Sequence, residues 1–267
     1  MLWFMATMRG EMKAPSSAAT DGVILATGGG RGIGAATARL AAQRGYAVAI
    51  NYLSHADAAD RVVQEIRSAG GTAIAVAADV SREVEVRRLF ETIDRDLGRI
   101  TVLVNNAGIV DRRMRVDAMT EVRVVRMFAV NVVGSFLCAR EAILRMSQRL
   151  GGSGGAIVNV SSAAARLGSP GEYVDYAASK AAIDTLTLGL AKEVAAEGIR
   201  VNAVRPGIID TEIHADSGDP ARAQHLAATL PLGRAGTADE VAHAILWLAS
   251  TESSYCAGTI LDVAGTR

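Results

Sequence analysis

The chain has 267 residues, 28 basic against 28 acidic side chains, 50% hydrophobic residues and 4% aromatic ones, enough for one self-supporting core without metal or disulfide staples. A formal charge of zero lacks the basic footprint of a nucleic-acid or anionic-membrane binder, so neither partner is expected. The two cysteines, Cys138 and Cys256, are too few for a disulfide framework and read as buried small hydrophobes in a reducing compartment.

The chain opens on a short apolar run followed by Arg9 and Lys13, the reverse of a secretory signal with its leading basic region. A cytoplasmic protein is expected, with residues 1–20 as a loosely ordered extension and 21–267 as a single domain. No run reaches the roughly 18 apolar residues of a membrane span. From residue 22, short apolar runs alternate with longer helical ones, the pattern of a parallel sheet covered on both faces. Strands are predicted at 23–27, 47–51, 73–78, 102–105, 157–161, 200–204 and 259–263, a seven-stranded, doubly wound α/β fold. Helices are predicted over 35–44, 56–69 and 82–97, the last with Ser81 as its cap. Gly45, Gly70 and Gly98 stand where these helices would stop.

The segment TGGGRGIG at 27–34 follows the first strand and opens a helix. Glycines there permit a tight turn and let the backbone approach a pyrophosphate, whose charge the free amides and helix dipole favour. The spacing fits the relaxed Rossmann fingerprint through Gly30, Gly32 and Ala35, with a merely flexible turn as the alternative. Tyr176 and Lys180 stand four residues apart on a stretch that reads as helix through Glu197, hence on one face. A neighbouring ammonium lowers a phenol from its pKa of about 10 and suits it to proton transfer; coincidence on a solvated face is the alternative. Tyr173 has Ala177 at the corresponding position and is not the expected acid. His55, His214, His225 and His243 form no metal-ligand spacing with one another or with the cysteines, and no metal is expected.

Taken in order, these segments resemble the short-chain dehydrogenase/reductase family of compact, single-domain type, over about residues 22–265. The family's nucleotide motif falls on Thr27, Gly28, Gly32 and Gly34, and its Asn-Asn-Ala-Gly motif on Asn105, Asn106, Ala107 and Gly108. A helix Asn with a following Gly stands at Asn131 and Gly134, the Ser, Tyr and Lys set at Ser162, Tyr176 and Lys180, and the Pro-Gly turn with its Thr at Pro206, Gly207 and Thr211. Ser162 precedes Tyr176 by fourteen residues where many relatives have thirteen, so Ser161 competes, and Ser162 is preferred. General similarity is strongest to 3-oxoacyl-carrier-protein reductases and sugar dehydrogenases such as glucose dehydrogenases.

The resemblance implies a Rossmann fold and an oxidoreductase that moves hydride between a nicotinamide and a carbonyl or secondary alcohol. Tyr176 would be the general acid and base, Ser162 would bond the same substrate oxygen, and Lys180 would hold the ribose hydroxyls and lower the pKa of Tyr176. Asn131 would anchor a water between Lys180 and solvent; a helix-bending side-chain bond is the alternative. The second strand ends Asn51-Tyr52-Leu53-Ser54 with no carboxylate for a ribose 2′-hydroxyl. Arg31, with Asn51 and Ser54, would instead meet a 2′-phosphate, so NADP(H) is preferred and NAD(H) remains possible; a solvated Arg31 is the alternative. The cofactor set is completed by Ile33 in the glycine loop, Asp79 and the Val80 backbone at the adenine, Asn106, Ala107 and Gly108, and Pro206, Gly207, Ile209 and Thr211 around the carboxamide. Asp79 reads equally well as a helix-initiating acid.

A lid is expected over about 210–230, and with the 163–175 loop it offers Arg166, Tyr173, Glu212, Ile213 and His214 to a small-molecule substrate, without one clear complementary charge. Long helices over 118–150 and 176–197 form tetramer faces in relatives, so a homotetramer is expected. The rival function is a non-catalytic NADP-binding sensor on the same fold. Sugar-nucleotide epimerases, with a larger carboxy-terminal region, fit less well.

Overall fold

The computed structural model describes residues 22–266; the expected extension at 1–20 lies outside them. Seven parallel strands stand in the order β3-β2-β1-β4-β5-β6-β7. They are β1 (Val23–Ala26), β2 (Ala47–Tyr52), β3 (Ala73–Ala77), β4 (Val102–Asn105), β5 (Gly155–Val160), β6 (Ile199–Pro206) and β7 (Ile260–Val263). All seven expected strands are present, their ends within two residues. The strand order reverses between β1 and β4, and the crevice at the carboxyl ends of such a switch point is where open α/β sheets bind ligands.

Because side chains alternate along a strand, neighbours in β1 enter different cores. Ile24 packs with Ala38 of α1 (Gly32–Gln43), Val62 of α2 (Ala56–Ser68) and Ile245 on the first face. Leu25 packs with Phe90 of α3 (Glu83–Asp96) and Ala142 on the other. The strands are buried on both sides, which is why they read as continuous apolar runs rather than as alternations. Gly45, Gly70 and Gly98 take left-handed φ of 87°, 85° and 96° just past α1, α2 and α3, as expected of stop positions.

Three expectations need correction. Ser81 does not cap α3, whose N-cap is Arg82. Its amide and hydroxyl both donate to Asp79 Oδ1, at 2.9 and 2.7 Å, because that carboxylate is the strongest acceptor in reach. Cys138 is buried, but Cys256 is only partly so. The long helix expected over 118–150 is three pieces: α4 (Glu121–Phe128), a π turn over Ala129–Val133, and α5 (Gly134–Met146). Glu121–Met146 is long and apolar enough to cross a membrane by length and composition alone. One side of it packs on the core, with Arg123, Asn131, Ser135 and Glu141 buried in protein.

The remaining helices are α6 (Ala164–Leu167), α7 (Val174–Val194), α8 (Ile213–Asp216), α9 (Arg222–Ala227) and α10 (Ala238–Ala249). A buried ion pair joins α4 to α7: Arg123 Nε donates to Asp175 Oδ2 at 2.7 Å, one residue before Tyr176.

Candidate active site

The glycine loop is shaped by close approach. Gly28 and Gly32 take φ of 61° and 50°, and a Cβ on Gly34 would stand 2.6 Å from both Asn106 Nδ2 and Gly28 O. Asn106 fastens the loop from β4: its Nδ2 donates to Thr27 O at 2.8 Å and Gly28 O at 3.2 Å, while the Asn106 and Ala107 amides donate to the Thr27 hydroxyl at 3.0 Å. The first turn of α1 reads Gly-Ile-Gly behind an extended Arg31, with no side-chain hydrogen bond from Arg31 capping it. This cradle fits a pyrophosphate.

Asn51 does something other than expected. Its Nδ2 donates to Ala78 O at 2.8 Å and its Oδ1 accepts from Gly28 N at 3.3 Å, with 2% of the residue exposed. This strand-end asparagine ties the end of β3 to the glycine loop. Ser54 is exposed and pairs with His55 Nδ1 at 2.9 Å, and Arg31 is half-buried at the N-cap of α1. Asp79 Oδ1 accepts from Ser81, while its amide donates to Glu85 at 2.8 Å. The Val80 side chain is buried, and a Cβ on Gly134 would lie 2.8 Å from it, so α5 rests on this turn.

From the far side come the ends of β6 and β7. Gly207 donates to Val263 O at 3.0 Å, and a Cβ on it would stand 2.8 Å from the Ala264 backbone. Ile209 is buried and bridged to Gly236. Thr211 reaches the glycine loop, 3.3 Å from where a Cβ of Gly32 would stand. Residues 179 positions apart in sequence, Gly32 and Thr211, thus share one wall.

The reacting end lies between. Tyr176, Lys180, Ser162, Gly108, Ile33 and Thr211 all line one cleft. Ser162 is the serine that faces the cleft with Tyr176 and acts on its phenol; its competitor Ser161 is buried and donates to Lys180 O at 3.1 Å. Lys180 Nζ donates to Val160 O at 2.8 Å and lies 5.7 Å from the centre of the Tyr176 ring. Burial lowers the lysine to about 8, opposed by the negative charge of Asp184. The phenol is corrected in direction: burial pushes Tyr176 above its ordinary value, with Ser162 pulling it partly back. Four-residue spacing supplies proximity, but the desolvation of both groups outweighs it.

Asn131 sits on the π turn, 1% exposed. Its Oδ1 accepts from Ile109 N at 2.8 Å, and its Nδ2 donates to Ile109 O and Ser179 Oγ, both at 3.0 Å. A Cβ on Gly108 would stand 3.3 Å from Lys180 Nζ and 3.4 Å from Asn131 Oδ1, so a bare glycine separates the two groups. Among the described residues no cluster of three or more His, Cys, Asp or Glu could hold a metal.

A glycine-loop cradle, a buried phenol with a serine and a lysine in the same cleft, and a turn from β6 facing both are one assembly. The family model described as Enoyl-(Acyl carrier protein) reductase matches residues 28–265. The chain belongs to the short-chain dehydrogenase/reductase family. It is 55% identical to the uncharacterized oxidoreductase YgfF of Escherichia coli (strain K12) over 92% of this chain and 99% of that protein. It is 39% identical to the human 3-oxoacyl-[acyl-carrier-protein] reductase over 92% and 97%. A short chain dehydrogenase from Burkholderia cenocepacia J2315 solved in complex with NADP matches with a TM-score of 0.82 at 34% identity, over 91% and 96%. This short-chain dehydrogenase/reductase is an oxidoreductase of CH–OH and C=O groups with a nicotinamide-dinucleotide fold.

Sequence reasoning named Asn51 for the cofactor but not as the loop fastener it is, a role with no signal beyond its place at a strand end, and it missed one lining residue. Arg222, in the lid, lines the same cleft as Tyr176 and was hidden in a segment with no periodic pattern.

Proposed function

We propose that the chain is an NADP(H)-dependent oxidoreductase interconverting a small-molecule carbonyl and a secondary alcohol, with Tyr176 as general acid and base. The observation that carries this reading is the convergence of Ser162, Tyr176 and Lys180 in the one cleft that Gly108 and Thr211 also line. When bound, the nicotinamide supplies or accepts the hydride. Everything else falls to the chain. In reduction, the Tyr176 hydroxyl hands its proton to the nascent alkoxide, and Ser162 donates a hydrogen bond to that same oxygen. Burial keeps the phenol protonated near neutrality, which suits a donor. In oxidation Tyr176 must begin as phenolate to accept the alcohol's proton, and the Lys180 ammonium is the charge near its ring that favours this. Asn131 holds the turn at Ile109 beside Gly108 and Lys180, the place through which a water would resupply the proton.

Tyr176→Phe tests the assignment. Turnover of NADPH against ketones, 3-oxoacyl thioesters and sugars falls roughly 10²–10⁴-fold, while the fluorescence-titrated Kd for NADPH stays within about threefold. Unchanged turnover overturns it.

Cofactor choice is part of the proposal. Arg31 at the N-cap of α1 and Ser54 past the end of β2 form the nearest polar edge for a 2′-phosphate, with no carboxylate among residues 51–54. Arg31→Ala therefore raises the Kd for NADPH about tenfold, the weight of one charged hydrogen bond, and leaves NADH binding as it was. An equal loss for both cofactors refutes the preference.

A further inference from the structure

Among the described residues lining the cleft there is no carboxylate, and two side chains are cationic. Lys180 is one, held at the inner end by Val160. The other is Arg222, the first residue of α9 in the lid, whose side chain is 9% exposed. Its guanidinium lies over the Tyr173 ring, 5.4 Å from the centroid, and Tyr173 is itself a buried wall of the cleft. Nη2 donates to Glu172 Oε2 at 2.7 Å; among the described residues no second acceptor takes Nε or Nη1. Glu172, 35% exposed, is not part of the lining. It is shared with Arg113 at 3.6 Å, which also reaches the lid through Asp219 at 3.1 Å and donates to the Tyr173 hydroxyl at 3.3 Å.

The rest of the wall is largely apolar, with Ile33, Val110, Leu167 and Ile213. A guanidinium nine-tenths buried, with Glu172 as its hydrogen-bonded acceptor, keeps further donors available at the cleft it lines. Stacking on Tyr173 fixes its plane and leaves an edge of donors, the geometry that receives a carboxylate in two parallel hydrogen bonds.

We propose that Arg222 is the specificity-determining residue of this cleft and receives a carboxylate of the substrate. The substrate class is then an oxo acid, or the matching hydroxy acid, with an apolar spacer between the carboxylate at Arg222 and the reacting oxygen at Tyr176. The proposal rests on the carbonyl–alcohol chemistry proposed above. Glu172 orients Arg222 and also competes for it, so removing the Glu172 charge strengthens acid recognition.

The experiment has two arms. In the first, kcat/KM with NADPH is measured for oxo acids from 4-oxopentanoate to 8-oxononanoate, each against its own methyl ester. The wild-type protein prefers the acid at least tenfold at the matching length. Arg222→Met lowers that acid-to-ester ratio about tenfold through KM, Arg222→Lys keeps part of it, and Glu172→Gln raises it. A ratio unmoved by Arg222→Met, or ester preference at every length, overturns the proposal while leaving the chemistry standing. In the second, hexanoate and hexanamide are titrated calorimetrically into protein saturated with NADP⁺. Hexanoate binding that hexanamide does not reproduce, and that Arg222→Met abolishes, upholds the anion site even if no ketone is turned over. Equal binding of acid and amide, or none of either, overturns it. An NADPH titration confirms that each variant is folded.

Discussion

Lys180 is a cation placed where solvation is poor, and its protonation is therefore a term in stability. Burial brings it to about 8 against the partial support of Asp184, whose Oδ2 is held by Arg205 at 2.8 and 3.0 Å while its buried Oδ1 has no hydrogen-bond partner. In the unfolded chain a lysine titrates near 10.4. Between about pH 8 and 10.5 the unfolded state thus binds more protons, and stability rises with pH; below pH 8 the full cost of the buried ammonium is in force. Tyr176, raised by burial, works in the opposite direction only once unfolded phenols ionise near pH 10. Urea unfolding at pH 8 and pH 10 should show wild type gaining roughly 2 kcal/mol relative to Lys180→Met, and parallel pH profiles would refute a charged, desolvated lysine. The same pair shows how far residues were legible. Four-residue spacing and a preceding serine are visible in sequence, and Ser162, Tyr176 and Lys180 do meet. Desolvation is not visible, because it is set by what packs around the pair, and so the phenol's shift was read with the wrong sign. Asn51 differs for a related reason: its amide is taken up by backbone groups at the ends of β3 and β1, a commitment that depends on side-chain direction and leaves no pattern in the sequence.

At the scale of elements, the strands were legible because a sheet buried on both faces must be apolar at consecutive positions. The π turn was not, since one extra residue between Phe128 and Gly134 leaves composition unchanged while re-aiming Asn131 toward Ile109. The join between β6 and α10 was equally hidden. Arg200, on β6, donates to the carbonyls of Leu248, Ala249, Ser250, Ser253 and Cys256, at 2.9 to 3.4 Å. Its guanidinium therefore closes the carboxyl end of α10, where the helix dipole welcomes a cation, as Thr237 and Glu240 close the other end with a reciprocal cap. Burial in neutral acceptors lowers this arginine. Replacing Arg200 by Met strands several carbonyls at once, a loss of about 3 kcal/mol, equivalent to a melting temperature lower by roughly 6–12 °C for a chain of this size. Arg200→Met melting within 2 °C of wild type would show that water replaces the guanidinium without cost.

For the whole molecule, the open question is what covers the outer face of the α4–α5 arm. Val122 and Val125 on α4, Phe136 and Leu144 on α5, and Leu188 on α7 are all exposed, Phe136 by 52%. Single exposed apolar side chains are ordinary, but a group of them along the helices that carry Asn131 and Tyr176 is what a symmetric interface needs. These are the helices from which a homotetramer was expected by resemblance. Four chains of 27.8 kDa give about 111 kDa, so light scattering on the eluting protein should return that mass. Phe136→Asp places a carboxylate among these exposed side chains, where an interface would have to bury it unpaired. It should elute as a smaller species, and because the arm also positions Asn131, turnover should fall with the mass while the melting profile of the released chain stays cooperative. A wild-type mass near 28 kDa would mean that the face is left to solvent and that Asn131 and Tyr176 are held by the single chain's own core.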